Sequence, residues 1–168
     1  MKHIIEKICT LWKPEWQGMV MGELWYRKGR GSAPGNYKVS LTEKRRIRLI
    51  LSDEEKGEKM GLLLFPVSGK EAGAVERPDE SEYWRSFSVG EVRGYSRDRG
   101  DHNEIHQTDR PVVSGFQLAE ALQEKYALVS FRIRFHHPVF SGEAVYLQQD
   151  GGRVSGYSDR LCFILEEA

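Results

Sequence analysis

The stretch Arg99-Gly100-Asp101-His102-Asn103-Glu104-Ile105-His106 is followed eight residues on by Ser114-Gly115-Phe116-Gln117, and these two runs decide how the rest of the chain is read. The first puts a carboxylate, a carboxamide and an imidazole within six residues. Asp101 and His106 cannot share one face of a regular helix, where neighbours lie three or four apart. They converge if the chain curls through a turn, and Gly100 and Asn103 are turn formers. In the second run, Ser114 and Gln117 fit the capping-box pattern Ser-x-x-Gln. Phe116, Ala119 and Leu122 then recur at helical spacing, which predicts a helix starting near Gly115. The first N–H groups of such a helix lack intrahelical partners and its dipole is positive there, so negative charge on a nearby oxygen is favoured. Together the runs describe a candidate acid/base site beside an anion hole.

Two later elements follow at fixed distance, Phe135-His136-His137-Pro138-Val139 and Ser141-Gly142-Glu143. The succession Gly-Asp-x-Asn-x-x-His, a small residue and Gly opening a helix, Phe-x-x-Pro-Val and a small-Gly-acidic turn resembles the MaoC-like, or (R)-specific enoyl-CoA, hydratases. It covers about residues 83–168. The resemblance implies an α+β hot-dog fold, a curved antiparallel sheet wrapped around a central helix. Residues 1–82 would be a β-rich N-terminal elaboration of one domain spanning 1–168, and the assembly a homodimer or higher homo-oligomer. The implied reaction is reversible addition of water to a 2-enoyl thioester, carried by coenzyme A or an acyl carrier protein. By the same resemblance Asp101 and His106 are the catalytic pair, Asn103 positions the water, and the Gly115 N–H is the oxyanion donor. Gly100, Ser114 and Phe116 fall beside the substrate. No metal or redox cofactor is expected. Thioester hydrolysis on the same scaffold and a non-catalytic acyl-CoA-binding module are the alternatives.

The chain departs from the family at four places. Arg99 stands where Ser or Thr is usual, Glu104 where Pro is usual, and Ser114 where His is common. The family also inserts a helix before its motif, for which Val89 to Gly100 leaves little room. An Arg99–Glu104 pair would close the site and suit a binding module.

Composition narrows the classes. A chain of 168 residues suits one domain with a real core. Lys plus Arg equals Asp plus Glu at 25 each, so no global field draws it to nucleic acid or a membrane surface. No apolar run approaches the roughly 20 residues of a membrane span. Glu6, Lys7 and Lys13 interrupt the N-terminal apolar stretch, so no signal-peptide pattern is read. Cys9 and Cys162 are too few for a disulfide framework, and a reducing cytoplasm is expected.

Along the chain, Ile4, Ile5, Ile8, Leu11 and Trp12 predict a short amphipathic helix ended by Pro14 and packed on the chain's own sheet. Met19 to Arg27 reads as a strand with an irregularity at Gly22-Glu23, and residues 29–36 as a loop without the spacing of a nucleotide-binding motif. Tyr37, Val39 and Leu41 alternate, as do Ile47, Leu49 and Leu51. Lys44-Arg45-Arg46 between them, without interleaved aromatics, reads as a solvated face rather than a surface for RNA or the phosphates of coenzyme A. Residues 46–67 form a hairpin, and 68–81 a linker or mobile loop. Residues 18–67 are read as strands extending the sheet rather than as a second, degenerate hot dog. Tyr83 to Val92 reads as an approach strand, and Val129 to Phe135 as the clearest strand of all. Glu143 to Gln149 and Val154 to Leu165 close the sheet around a turn at Asp150-Gly151-Gly152.

Each site residue also has a structural reading. Asp101 can accept N–H bonds in a turn, and His106 can be a half-buried structural histidine. His102, His106, His136 and His137 raise a metal site, for which no acidic or Cys partner is fixed in sequence. Ser114 is a cap rather than a nucleophile, because Gly-x-Ser-x-Gly is absent.

Overall fold

Ile4, Ile5, Ile8 and Cys9 line one side of helix α1 (Lys2–Cys9), and all four are buried. Each isoleucine contributes roughly 2 kcal/mol through that burial. Pro14 opens a single 3-10 turn over Pro14–Trp16 and prevents the helix from continuing. The structure, a computed structural model, describes residues 1–31, 35–66 and 75–168.

Among the described residues nine strands follow: β1 (Val20–Arg27), β2 (Lys38–Glu43), β3 (Ile47–Asp53), β4 (Glu58–Phe65), β5 (Glu82–Ser86), β6 (Ser130–Phe135), β7 (Ala144–Asp150), β8 (Arg153–Tyr157) and β9 (Leu161–Glu167). Helices α2 (Val89–Arg99) and α3 (Gly115–Tyr126) lie between β5 and β6. The strands form one antiparallel sheet in the order β2-β3-β4-β1-β6-β9-β8-β7-β5. This is the α+β arrangement the sequence predicts. The expected irregularity in β1 is a bulge between Met21 and Glu23. Gly22 suits this position, since a Cβ there would run into the Phe65 ring.

The N-terminal strands join the same sheet, but their connectivity is that of another helix-plus-four-strand unit rather than of simple added strands. From α1 the chain enters an inner strand, β1, jumps to the edge strand β2 and returns inward through β3 and β4. From α3 it enters β6, jumps outward to β7 and returns through β8 and β9. The two helix-plus-four-strand units meet where β1 pairs antiparallel with β6. One core cluster joins them, taking Ile5 and Ile8 from α1, Leu24 and Leu62 from the first unit, and Phe116, Leu122, Ile133 and Phe163 from the second. Among the described residues, only the second unit has a further strand, β5, outside its edge.

One segment differs from expectation. Val89 to Arg99 is not the end of a strand but helix α2. Its start is a capping box: Glu91 N–H donates to Ser88 Oγ at 3.1 Å, and Ser88 N–H to Glu91 Oε2 at 2.7 Å. Ser88-Val89-Gly90-Glu91 carries that signature in sequence, while Gly90 and Gly94 lower the helical propensity that would have exposed it. The helix for which the sequence leaves little room is therefore present.

The expected linker 68–81 lies partly outside the described residues, as does the loop 29–36. The described portion is anchored: Leu161 N–H donates to Val75 C=O, Glu76 bridges Arg160, and Arg77 stacks 4.2 Å from the Tyr146 ring centroid. Lys44, Arg45 and Arg46 are exposed, as a solvated run should be.

Candidate active site

Helix α2 delivers the carboxylate. Gly100 takes φ 70°, where glycine carries no steric penalty, and ends the helix. Gly100 N–H donates to Arg97 C=O and Asp101 N–H to Ser96 C=O, the pairing of a Schellman ending, so Asp101 leaves the helix in a fixed direction. Asn103 is extended, and a 3-10 turn over Glu104–His106 swings the imidazole back. The curl expected from Gly100 and Asn103 thus brings Asp101 and His106 together across five residues.

Both are nearly sealed, Asp101 at 6% exposure and His106 at 5%. His106 Nδ1 lies 2.7 Å from the Val112 carbonyl, which can only accept, so Nδ1 carries the hydrogen. In the neutral ring Nε2 then presents a lone pair, and it faces Asp101 Oδ2 at 3.3 Å. Two acceptors at that distance are placed to be held together by a shared proton, since the gap is too short to admit a water between them. Asp101 Oδ1 accepts from the Asn103 N–H at 3.1 Å, and Oδ2 from the Ser114 hydroxyl at 3.3 Å. The pair is therefore oriented from three sides, with one proton position left between them.

Helix α3 begins at Gly115 as predicted, but Ser114 and Gln117 do not form the expected capping box. Ser114 Oγ is turned to Asp101, and the buried Gln117 Oε1 has no hydrogen-bond partner among the described residues. The first N–H groups of α3 stay uncapped, directly beside the residue that touches the carboxylate. The later motif elements buttress this corner. Val113 N–H donates to Val139 C=O, Ser141 N–H to Pro111 C=O, and Phe140 N–H to Glu143 Oε2.

Asn103 is committed elsewhere than expected. Its Nδ2 donates to Met19 C=O at 2.9 Å, and its Oδ1 accepts from Gly18 N–H at 3.1 Å. Gln17 reciprocates, donating to His102 C=O and accepting from Glu104 N–H, both at 3.0 Å. Two carboxamides thus stitch residues 17–19 to 102–104, with both polar atoms of Asn103 engaged in the loop. Gln17 escapes sequence reading because its partners are about 85 residues away. The first unit also reaches the site through Cys9. Burial pushes its thiol up, and the neighbouring Asp101 charge adds to the effect.

Other expected site residues are placed differently. Gly100 is explained by the end of α2, and Phe116 points into the core at 2% exposure rather than toward a substrate. Arg99 pairs with Glu120, at 2.9 Å from Nη2, while Glu104 is exposed, so the Arg99–Glu104 closure does not form. Among the described residues, no group of three His, Cys, Asp or Glu is arranged to hold a metal ion, and no helix is long and apolar enough to cross a membrane. Sequence reading also missed what covers Gly115. A Cβ there would meet Met21 Sδ at 2.8 Å and Phe135 Cζ at 3.3 Å.

No family model matches this sequence, and comparison with curated proteins gave no match. Solved structures do resemble it. HtdX from Mycobacterium tuberculosis superposes with a TM-score of 0.64 at 16% identity, over 89% of this chain and 76% of that one. A MaoC-like dehydratase from Phytophthora capsici gives 0.52 at 18%, over 93% and 73%. The full-length peroxisomal multifunctional enzyme type 2 from Drosophila melanogaster gives 0.54 at 16%, over 98% of this chain and 40% of that one. At such identities the likeness shows the fold: this chain is a hot-dog protein sharing its architecture with a MaoC-like dehydratase.

Proposed function

We propose that this protein is a hydratase–dehydratase that adds water reversibly to a trans-2-enoyl thioester of coenzyme A or an acyl carrier protein. The observation that carries the reading is the buried Asp101–His106 contact, with Nδ1–H committed to the Val112 carbonyl and the uncapped start of α3 alongside.

The chemistry follows from the proton count. A carboxylate and a neutral imidazole, with one ring hydrogen locked on a carbonyl, form a pair of charge −1 that can accept one proton between Nε2 and Oδ2. A water held beside the pair, within hydrogen-bond reach of its free lone pairs, loses that proton as its oxygen bonds to C3 of the enoyl group. The π electrons move toward the thioester oxygen, where the Gly115 N–H and the positive helix end stabilise the enolate. Collapse of the enolate takes the stored proton at C2, so the pair regains its starting charge. General acid/base transfer of this kind contributes about 10²–10⁴-fold in rate. Neither a metal nor a redox group enters these steps. The same reading carries a homodimer in a reducing compartment, where Cys9 and Cys162, both buried and free, remain thiols.

The test is product analysis with crotonyl-CoA. Loss of the conjugated alkene with the thioester intact supports hydration. Release of free thiol would replace the reading with hydrolysis, and binding without turnover would replace it with an acyl-CoA-binding module.

A further inference from the structure

We infer that Met21 and Phe135 form the gate through which an acyl thioester reaches the start of α3, and that the Met21 side chain decides which acyl chains pass. The inference rests on the hydratase reading above.

Access is the starting point. Asp101, His106 and Ser114 are buried, whereas Gly115, Met21 and Phe135 are each only partly buried. A molecule approaching the pair from solvent along the uncapped end of α3 therefore meets these three residues. The space directly over the Gly115 Cα is occupied: a Cβ there would lie 2.8 Å from Met21 Sδ, 3.3 Å from Met21 Cε and 3.3 Å from Phe135 Cζ. An acyl thioester whose oxygen binds the Gly115 N–H lies against this residue, and so beside that thioether and that ring.

The two leaves differ in freedom. Phe135 ends β6, paired with Phe163 of β9, and the chain beyond it is tied by His136 N–H donating to Cys162 C=O at 2.8 Å. Met21 sits on a backbone that is equally fixed. Asn103 holds Gly18 and Met19 on one side, and Gly22 is pressed against the Phe65 ring on the other. Its side chain is unbranched with three rotatable bonds and a polarizable sulfur, so it yields by rotation where the backbone does not. The gate therefore opens at Met21, and its bulk sets the selectivity. The first unit, which lacks the Asp/His motif, thereby contributes the residue that selects substrate for the second.

The experiment compares wild type, Met21→Ala and Met21→Phe with crotonyl-CoA and trans-2-dodecenoyl-CoA. The ratio of kcat/KM for the long over the short thioester should rise about tenfold in Met21→Ala and fall in Met21→Phe, in line with what a few methylenes in an apolar site discriminate. A ratio unchanged in both variants overturns the gate and leaves the hydratase reading standing. Should wild type hydrate neither thioester, the hydratase reading fails. The gate is then read by calorimetry from the ratio of Kd for butyryl-CoA and dodecanoyl-CoA. Opposite shifts in the two variants support it, no shift overturns it, and absence of binding by wild type overturns both.

Discussion

His106 Nε2 faces Asp101 Oδ2 at 3.3 Å while Nδ1 of the same ring is held 2.7 Å from the Val112 carbonyl. Because the carbonyl fixes the tautomer, substitution of either partner changes the proton capacity of the pair and little else. Asp101→Asn replaces an acceptor with an amide that can donate to Nε2, filling the position that takes the water's proton. Turnover of crotonyl-CoA should fall by about 10³-fold, with the fold retained. His106→Ala should cost a similar factor, and the double variant little more, since residues acting as a unit are not additive. Additive losses in steady-state kinetics would show two independent roles.

The reciprocal carboxamides make a second prediction. Gln17→Ala removes two hydrogen bonds to the backbone of His102 and Glu104, at a cost of about 1 kcal/mol. The melting temperature should drop by about 2–4 °C. The loop that aims His106 loosens at the same time, so kcat should fall several-fold while KM changes less. Asn103→Asp is more severe. It points a carboxylate at the Met19 carbonyl from a position 3% exposed and should destabilise by about 2–3 kcal/mol in urea unfolding.

Gly115 and Met21 should be coupled. Gly115→Ala puts a methyl 2.8 Å from Met21 Sδ, a contact that a thioether near the end of a flexible side chain can relieve. The stability cost should stay at about 1 kcal/mol, since the thioether can rotate away and the Phe135 ring, 3.3 Å from the new methyl, need yield only slightly. Met21→Ala in the same chain removes the clash. A double-mutant cycle on thermal stability should therefore give an interaction energy of about 0.5–1 kcal/mol favouring the pair of changes. Simple additivity would mean that Met21 does not rest on Gly115 in solution.

The start of α2 gives a prediction about pH. Ser88→Ala should cost about 1 kcal/mol by removing the acceptor for the Glu91 N–H. Glu91 is held below its ordinary value of 4.5, first by the backbone N–H of Ser88 and then by its hydroxyl and Arg85. A carboxyl lowered by folding contributes stability above its ordinary value and loses it as pH falls through its folded value. Glu91→Gln should therefore flatten that part of the stability curve below pH 4.5 and change melting little under more acidic conditions, as circular dichroism against pH would read.

Much of this was written locally. The helix at Gly115 follows from the spacing of Phe116, Ala119 and Leu122, and β6 from the strict alternation of Phe131, Ile133 and Phe135. The turn joining Asp101 to His106 follows from Gly100 and Asn103, because each of these signals acts within a few residues. The sequence by itself thus determined the α+β class, the helix end beside the motif, and the two side chains of the pair. Tertiary structure decided what depends on residues far apart. It turned Ser114 from a cap into a partner of Asp101 and spent the Asn103 carboxamide on Gly18 and Met19. It brought Gln17 to the loop and laid Met21 over Gly115. It also arranged α1 and β1–β4 as a second unit whose repeat exists in connectivity alone. A hydroxyl or a carboxamide has several partners of nearly equal energy within reach of the sequence, and only the packed chain fixes which of them it meets.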